Sequence, residues 1–346
     1  MEERKESTLH NPAHPVNELA RSPGTAPPTN EWSKVRKLAL RHLNRFVSLE
    51  AEVLKGDDPG AIHAMRVASR RLQQVLDLIF PKPQPREVRR LRRKIRQCRR
   101  ALGDLRNCDV LLQQVQGRLA RKRCSHRDAW TAVKEHLQER RSASFSRATR
   151  KLGKVNMAVF YTRTKGILDR LKPAPDQDRG SHSLVQPDRP ALEPFPARLK
   201  QALVSAWREF EKQVASSHRE MTAPSIHAAR LCAKRLRYLL EVVNQLGIPG
   251  SSDALTWLKK IQQHLGDWHD MEVLEEMIIE MMAKPEFLRD QLPLAMATGK
   301  LILRNRNRKR GFRDKYFQMT LDSPSYEEIK NWAEGLAAPA STIASA

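Results

Sequence analysis

Two blocks of this chain place a histidine and several arginines or lysines at spacings that bring them onto one side of a helix. The first, AIHAMRVASRRLQQVL, runs from Ala61 to Leu76, and the second, SIHAARLCAKRLRYLL, from Ser225 to Leu240. At about 100° per residue, His63, Arg66, Arg70 and Gln74 share a face opposite Met65, Leu72, Val75, Leu76 and Ile79. His227, Arg230, Lys234 and Arg237 likewise lie opposite Leu236, Leu239 and Leu240, and Arg71 corresponds to Arg235. The chemistry open to such stripes is anion binding. Arginine offers phosphate oxygens a planar fork, lysine a point charge, and histidine a donor whose charge switches near neutral pH. A stripe built twice points to a two-sided site for a polyanion.

Metal chemistry fits less well, because neither His63 nor His227 has a second histidine or a carboxylate three or four residues away on its own helix. His269–Asp270 has the form of a metal phosphohydrolase pair, but the matching place in the first block holds Arg106–Asn107 and no further ligands are identifiable. The expectation is a binding protein without catalysis, metal or cofactor.

The wider charge balance agrees. The chain has 346 residues, with 63 Lys and Arg against 39 Asp and Glu, a formal charge of +24. Such an excess calls for a negatively charged partner. From Arg86 to Arg100, nine of fifteen residues are Lys or Arg and Glu87 is the single carboxylate. Val88, Leu91, Ile95, Cys98 and Leu102 form an apolar stripe there, so this is a docked helix, with Arg89, Arg93, Arg96 and Arg100 on its outer side. The second half offers Lys259, Lys260 and His264 on the corresponding helix, and Arg304 to Lys315 holds seven cations and one acid. Cys98, Cys108, Cys124 and Cys232 form no CxxC pair and read as free thiols. The first residues lack the apolar core of a signal peptide, and no apolar run is long enough to span a bilayer. A cytoplasmic protein with no membrane partner is expected.

The elements that must position these residues are helices. No stretch alternates as a strand. Residues 1–30 read as a disordered arm, 31–172 as a first helical half, 173–197 as a Pro-rich linker with six prolines, 198–320 as a second half and 321–346 as a tail. Val35, Arg36, Ala39, Leu43 and Phe46 match Leu199, Lys200, Leu203, Trp207 and Phe210 at an offset of 164 positions, and LGDLRNCDVL (Leu102 to Leu111) matches LGDWHDMEVL (Leu265 to Leu274) at 163. Three blocks matching in one order predict an internal duplication and an all-α fold of two four-helix bundles.

Nucleic acid is the alternative partner. Reading bases needs aromatic platforms or polar groups aimed at base edges, and aromatics are only 5% of this chain, mostly at apolar helix positions. A general polyanion or nucleic-acid-binding scaffold therefore stands second to a ligand made of phosphate alone.

The paired HxxRxxxRR and HxxRxxxKRLRY blocks, followed by LGDLRNCDV and LGDWHDMEV, resemble the CHAD family, the conserved histidine α-helical domains, over roughly Glu31 to Gln318. The resemblance implies two pseudo-symmetric four-helix bundles with a basic groove between them that binds inorganic polyphosphate, and association with polyphosphate granules in the cytoplasm. The contacts it implies are His63, Arg66, Arg70, Arg71, His227, Arg230, Lys234 and Arg237. Arg89, Arg93, Arg96, Arg100, Arg106, Arg235, Lys260 and His264 complete the candidate set. Asn107 stands where the family commonly has an aspartate, which alters an expected structural ion pair. No ExExK motif of a triphosphate tunnel domain is present, so no hydrolase or cyclase activity is implied.

Overall fold

A computed structural model describes residues 29–171, 195–247, 251–321 and 323–337. The expectations for the N-terminal arm over 1–28 and for the linker over 172–194 fall outside the described residues. Within them the fold is all-α. The first half comprises α1 (Thr29–Ser48), α2 (Glu50–Lys55), α3 (Pro59–Ile79), α4 (Arg86–Ala101), α5 (Gly103–Leu119), α6 (Arg127–Leu152) and α7 (Met157–Asp169). The second comprises α8 (Phe195–Glu220), α9 (Ala223–Gln245), α10 (Ser252–Met282), α11 (Pro285–Asp290), α12 (Leu292–Gln318) and α13 (Pro324–Ala337).

The two stripe helices start in the same way. The Asp58 carboxylate caps α3 by accepting from the Gly60 and Ala61 amides at 2.6 and 3.0 Å, and Thr222 Oγ1 caps α9 by accepting from the Ser225 amide at 3.3 Å. Pro59 and Pro224 sit in the first turns, where no amide proton is needed.

Helices pack chiefly within their own half: α1 on α3, α5 on α6, α8 on α9, α9 on α10 and α10 on α12. The halves meet along α3 and α9, α5 and α10, and α6 and α12. Their cores are not separate. One apolar cluster runs from Trp32 and Leu72 to Leu239 and Tyr326; a second joins Leu111 and Trp130 to Met277 and Leu301. Sheltering apolar surface from both halves in common cores fixes their relative position, and hence the geometry of anything held between them.

Two boundaries differ from expectation. The Pro-rich linker was expected to reach residue 197, but α8 begins at Phe195, whose ring meets Trp32 at 5.3 Å. Pro196 is tolerated in that first turn. The tail expected from 321 contains α13, which docks on α8 and buries Tyr326, Ile329 and Ala333. Their i, i+3, i+7 spacing supplies an apolar stripe that the small, polar residues beyond it obscure. Among the described residues each half also carries more than four long helices, α7 packing against α1 and α13 against α8.

The matched LGD blocks fold differently as well. In the first half the helix breaks at Leu102 between α4 and α5, whereas in the second Leu265-Gly266-Asp267 lies inside the continuous α10.

Candidate anion-binding site

The helix break has a consequence for Arg66. Ending α4 at Ala101 leaves carbonyls of its last turn without amide partners, and Arg66 Nη1 donates to one of them, Arg99 O, at 2.7 Å. A cation at a helix C-terminus is favoured by the dipole as well. A Cβ at Gly103 would lie 3.5 Å from Arg66 Nη1, an ordinary contact, so the guanidinium packs directly beside this turn. Arg66 is thus anchored by its backbone partner on the wall of a cavity of about 800 Å³.

That cavity lies between the halves, walled by α3 and α5 from one and α9 and α10 from the other. Seven Lys or Arg line it against three aspartates, Asp104, Asp267 and Asp270. Arg66, Arg70, Arg71 and Arg106 come from the first half, and Arg230, Lys234 and Arg237 from the second. His63, His227 and His269 join them, with the rings of His227 and His269 5.1 Å apart.

Glu241, itself buried, organises two of the cations. It accepts from Arg71 Nε across the halves at 2.9 Å and from Arg237 Nη1 at 2.8 Å. The Arg237 guanidinium also lies 4.6 Å from the centre of the Tyr238 ring. Arg230 is only 9% exposed, and the buried Nε atoms of Arg230 and Arg237 have no hydrogen-bond partner among the described residues. Buried donors are nearly always satisfied, and these two Nε atoms are left unpaired within the described protein.

Burial, and then like charge, shifts several of the groups that line the cavity. Burial, then Arg230, Arg70 and Arg66, pushes the Lys234 ammonium down to about 6, against the pull of Asp270. Burial and Arg230, His227 and Lys234 hold His269 at about 3. His63 is lowered by burial and by Arg106, Arg66, Arg70 and Arg237, and His227 by burial, Arg230 and Lys234. Burial brings Arg66 and Arg230 to about 10, which leaves both charged at neutral pH. Asp270 is raised to about 6 because burial outweighs its cationic neighbours. Arg66, Arg230, Lys234 and the three histidines each give up some of their preference for the proton, and an anion in the cavity would restore it.

The candidate set divides accordingly. The cavity gathers His63, Arg66, Arg70, Arg71, Arg106, His227, Arg230, Lys234 and Arg237. Arg235 lines an adjoining groove of about 670 Å³. Arg89, Arg93 and Arg96 stand further out along α4, beside a groove of about 720 Å³. Arg100 and Lys260 are exposed and line none of these. His264 lines none of these hollows; its Nε2 lies 2.6 Å from Phe312 O and its ring stacks on Phe312 at 4.8 Å, so it ties α10 to α12. Spacing on α10 alone cannot reveal a partner 48 residues away.

Sequence reasoning missed Gln113, Gln114, Gln262 and Gln263, which add neutral donors to the walls, and Arg99, which donates to Gln73 at 2.8 Å beside the adjoining groove. His269 and Asp270, weighed only as metal ligands, line the cavity itself. Among the described residues no group of three or more His, Cys, Asp or Glu is placed to hold a metal, and no helix is long and apolar enough to cross a membrane.

Comparison with known proteins fits this geometry. The model of the CHAD domain family matches residues 37–278. The crystal structure of the CHAD domain from the plant Ricinus communis superimposes with a TM-score of 0.59 at 20% identity, covering 92% of this chain and 96% of that one. PptA from Streptomyces chartreusis gives 0.58 at 16% identity, covering 83% and 97%. Curated proteins give no match.

Proposed function

The chain belongs to the CHAD domain family, whose members are associated with inorganic polyphosphate, and we propose that it binds that polymer in the cavity between its halves, without turning it over. One observation carries the reading: seven Lys or Arg side chains against three aspartates converge there from both halves. A polymer made only of phosphate needs nothing else from a site. Each contact is modest, and many along one chain sum to tight binding, helped by release of the polymer's condensed counterions.

The walls favour this ligand over nucleic acid. Tyr238 is the one aromatic side chain on the cavity wall apart from the histidines, and at 5% exposure it has little face to offer a base. In the cell such a protein would collect at polyphosphate granules in the cytoplasm.

A competition titration tests the reading. Labelled long-chain polyphosphate, bound at near-physiological salt, is challenged with RNA, duplex DNA and pyrophosphate at equal phosphate concentration. The complex should persist. Ready displacement by RNA or DNA would make the cavity part of a general polyanion surface and put the nucleic-acid scaffold first.

A further inference from the structure

The central cavity does not end blindly. It shares Arg70, Lys234 and Tyr238 with the adjoining groove, which in turn shares Lys82, Gln84 and Arg92 with the groove along α4. That groove shares Arg89 and Arg93 with a further hollow, lined by Arg86, Arg89, Arg90 and Arg93, at the N-terminal end of the helix. Successive hollows with common walls make one track, and α4 adds about 24 Å to it at 1.5 Å per residue over its 16 residues.

Along this track the charges are of two kinds. Arg92 is anchored, donating to Asp77 at 2.9 Å. Arg89, Arg93 and Arg96 are exposed and have no ion pair among the described residues. A row of unneutralised arginines on a rigid, docked helix is costly by mutual repulsion unless an anion lies along it.

The track has no counterpart in the other half. At the offset of 163 that aligns the LGD blocks, Arg89, Arg90 and Arg93 correspond to Ser252, Asp253 and Thr256 of α10, and only Arg96 meets a cation, Lys259. The extension therefore leaves the cavity in one direction.

We propose that the outer face of α4 is a second, one-sided segment of the binding site, engaged only by linear polyphosphate long enough to run out of the central cavity. It rests on the polyphosphate reading of that cavity and makes this protein a selector of long chains. A short oligophosphate satisfies the inner cations and never reaches Arg89.

The test is a length series, from tripolyphosphate to long-chain polyphosphate, titrated against the full chain and a triple variant, Arg89→Gln with Arg93→Gln and Arg96→Gln. A control removes equal charge from exposed positions on none of these walls, Arg150→Gln with Lys151→Gln and Lys154→Gln. Wild type and control should gain affinity steadily with chain length. The triple variant should fall short of wild type by roughly tenfold on long chains and by less than about twofold on tripolyphosphate, with a salt dependence shallower by about two in slope. A length curve that superimposes on wild type overturns the extension. So does an equal loss at every length, which would mean that α4 acts only as distant charge. If the wild type binds no polyphosphate of any length, the central reading itself fails and takes this one with it, a result distinct from either.

Discussion

Raising the pH should weaken polyphosphate binding, and Lys234 should carry most of the effect. In the unliganded cavity burial and the neighbouring arginines hold its ammonium down to about 6, so near neutral pH it is largely uncharged. A phosphate chain alongside it restores the balance of charge and raises that value toward the ordinary lysine range. Binding then takes up a proton at every pH between the free and bound values. One pKa unit is worth about 1.4 kcal/mol, so affinity should drop about tenfold per pH unit, or roughly a hundredfold between about pH 6.5 and pH 8.5. His63 and His227, both lowered, add a smaller uptake at the acid end. Lys234→Met keeps the volume and removes the titrating group, so its slope should shrink to what the histidines and the polymer's own ends provide. Fluorescence polarisation with labelled long-chain polyphosphate at fixed ionic strength measures both slopes. Equal slopes in wild type and Lys234→Met would refute the reasoning.

The same lysine links pH to folding. Unfolded, it keeps its proton up to the ordinary lysine range, and folded it loses the proton near 6, so the unfolded chain binds more protons in between and stability of the unliganded protein should rise with pH across that window. Chemical denaturation at about pH 7 and pH 9 checks the sign, and saturating polyphosphate should flatten the difference. Asp109 is buried and accepts from Arg141 Nε at 2.7 Å, while Arg141 also reaches Gly56 O at 2.9 Å. Asp109→Ala should cost about 2 kcal/mol in a denaturant titration, less than a fully buried pair because Arg141 keeps some access to water. Tyr326 is 1% exposed, and its hydroxyl has no hydrogen-bond partner among the described residues. Tyr326→Ala should therefore cost about 3–5 kcal/mol and Tyr326→Phe almost nothing, a contrast that thermal melting resolves and that a loose tail would not produce.

What the sequence made legible follows from the range of each signal. Helical spacing is local, and it identified both cationic stripes and the apolar faces beneath them because every residue involved lies within a few turns. The cavity itself depends on contacts between distant segments. Arg71 meets Glu241 at a separation of 170 residues, and no periodicity on α3 or α9 announces it. The contact of His264 with Phe312 on α12 is invisible from α10 for the same reason. Gly103–Asp104 and Gly266–Asp267 read alike as a close crossing or a cap, and only the first ends a helix there. The tail reads as holding at most a short helix, and that α13 docks through three buried side chains depends on α8, which lies far away in the sequence. Arg89, Arg93 and Arg96 were recognised as an anion-facing row, but their distance from the stripes is a matter of tertiary packing that spacing cannot measure.

The most direct test of the central claim is the affinity of Arg70→Glu with Arg106→Glu for long-chain polyphosphate. Both residues line the cavity, one from α3 and one from α5, and neither is as deeply placed as Arg230 nor committed to a backbone carbonyl as Arg66 is. Reversing both charges should lower affinity by at least about a hundredfold, since each swaps an attraction for a repulsion in a recessed site, while helicity and melting temperature stay near those of wild type. A folded double variant that binds polyphosphate as tightly as wild type would contradict the account.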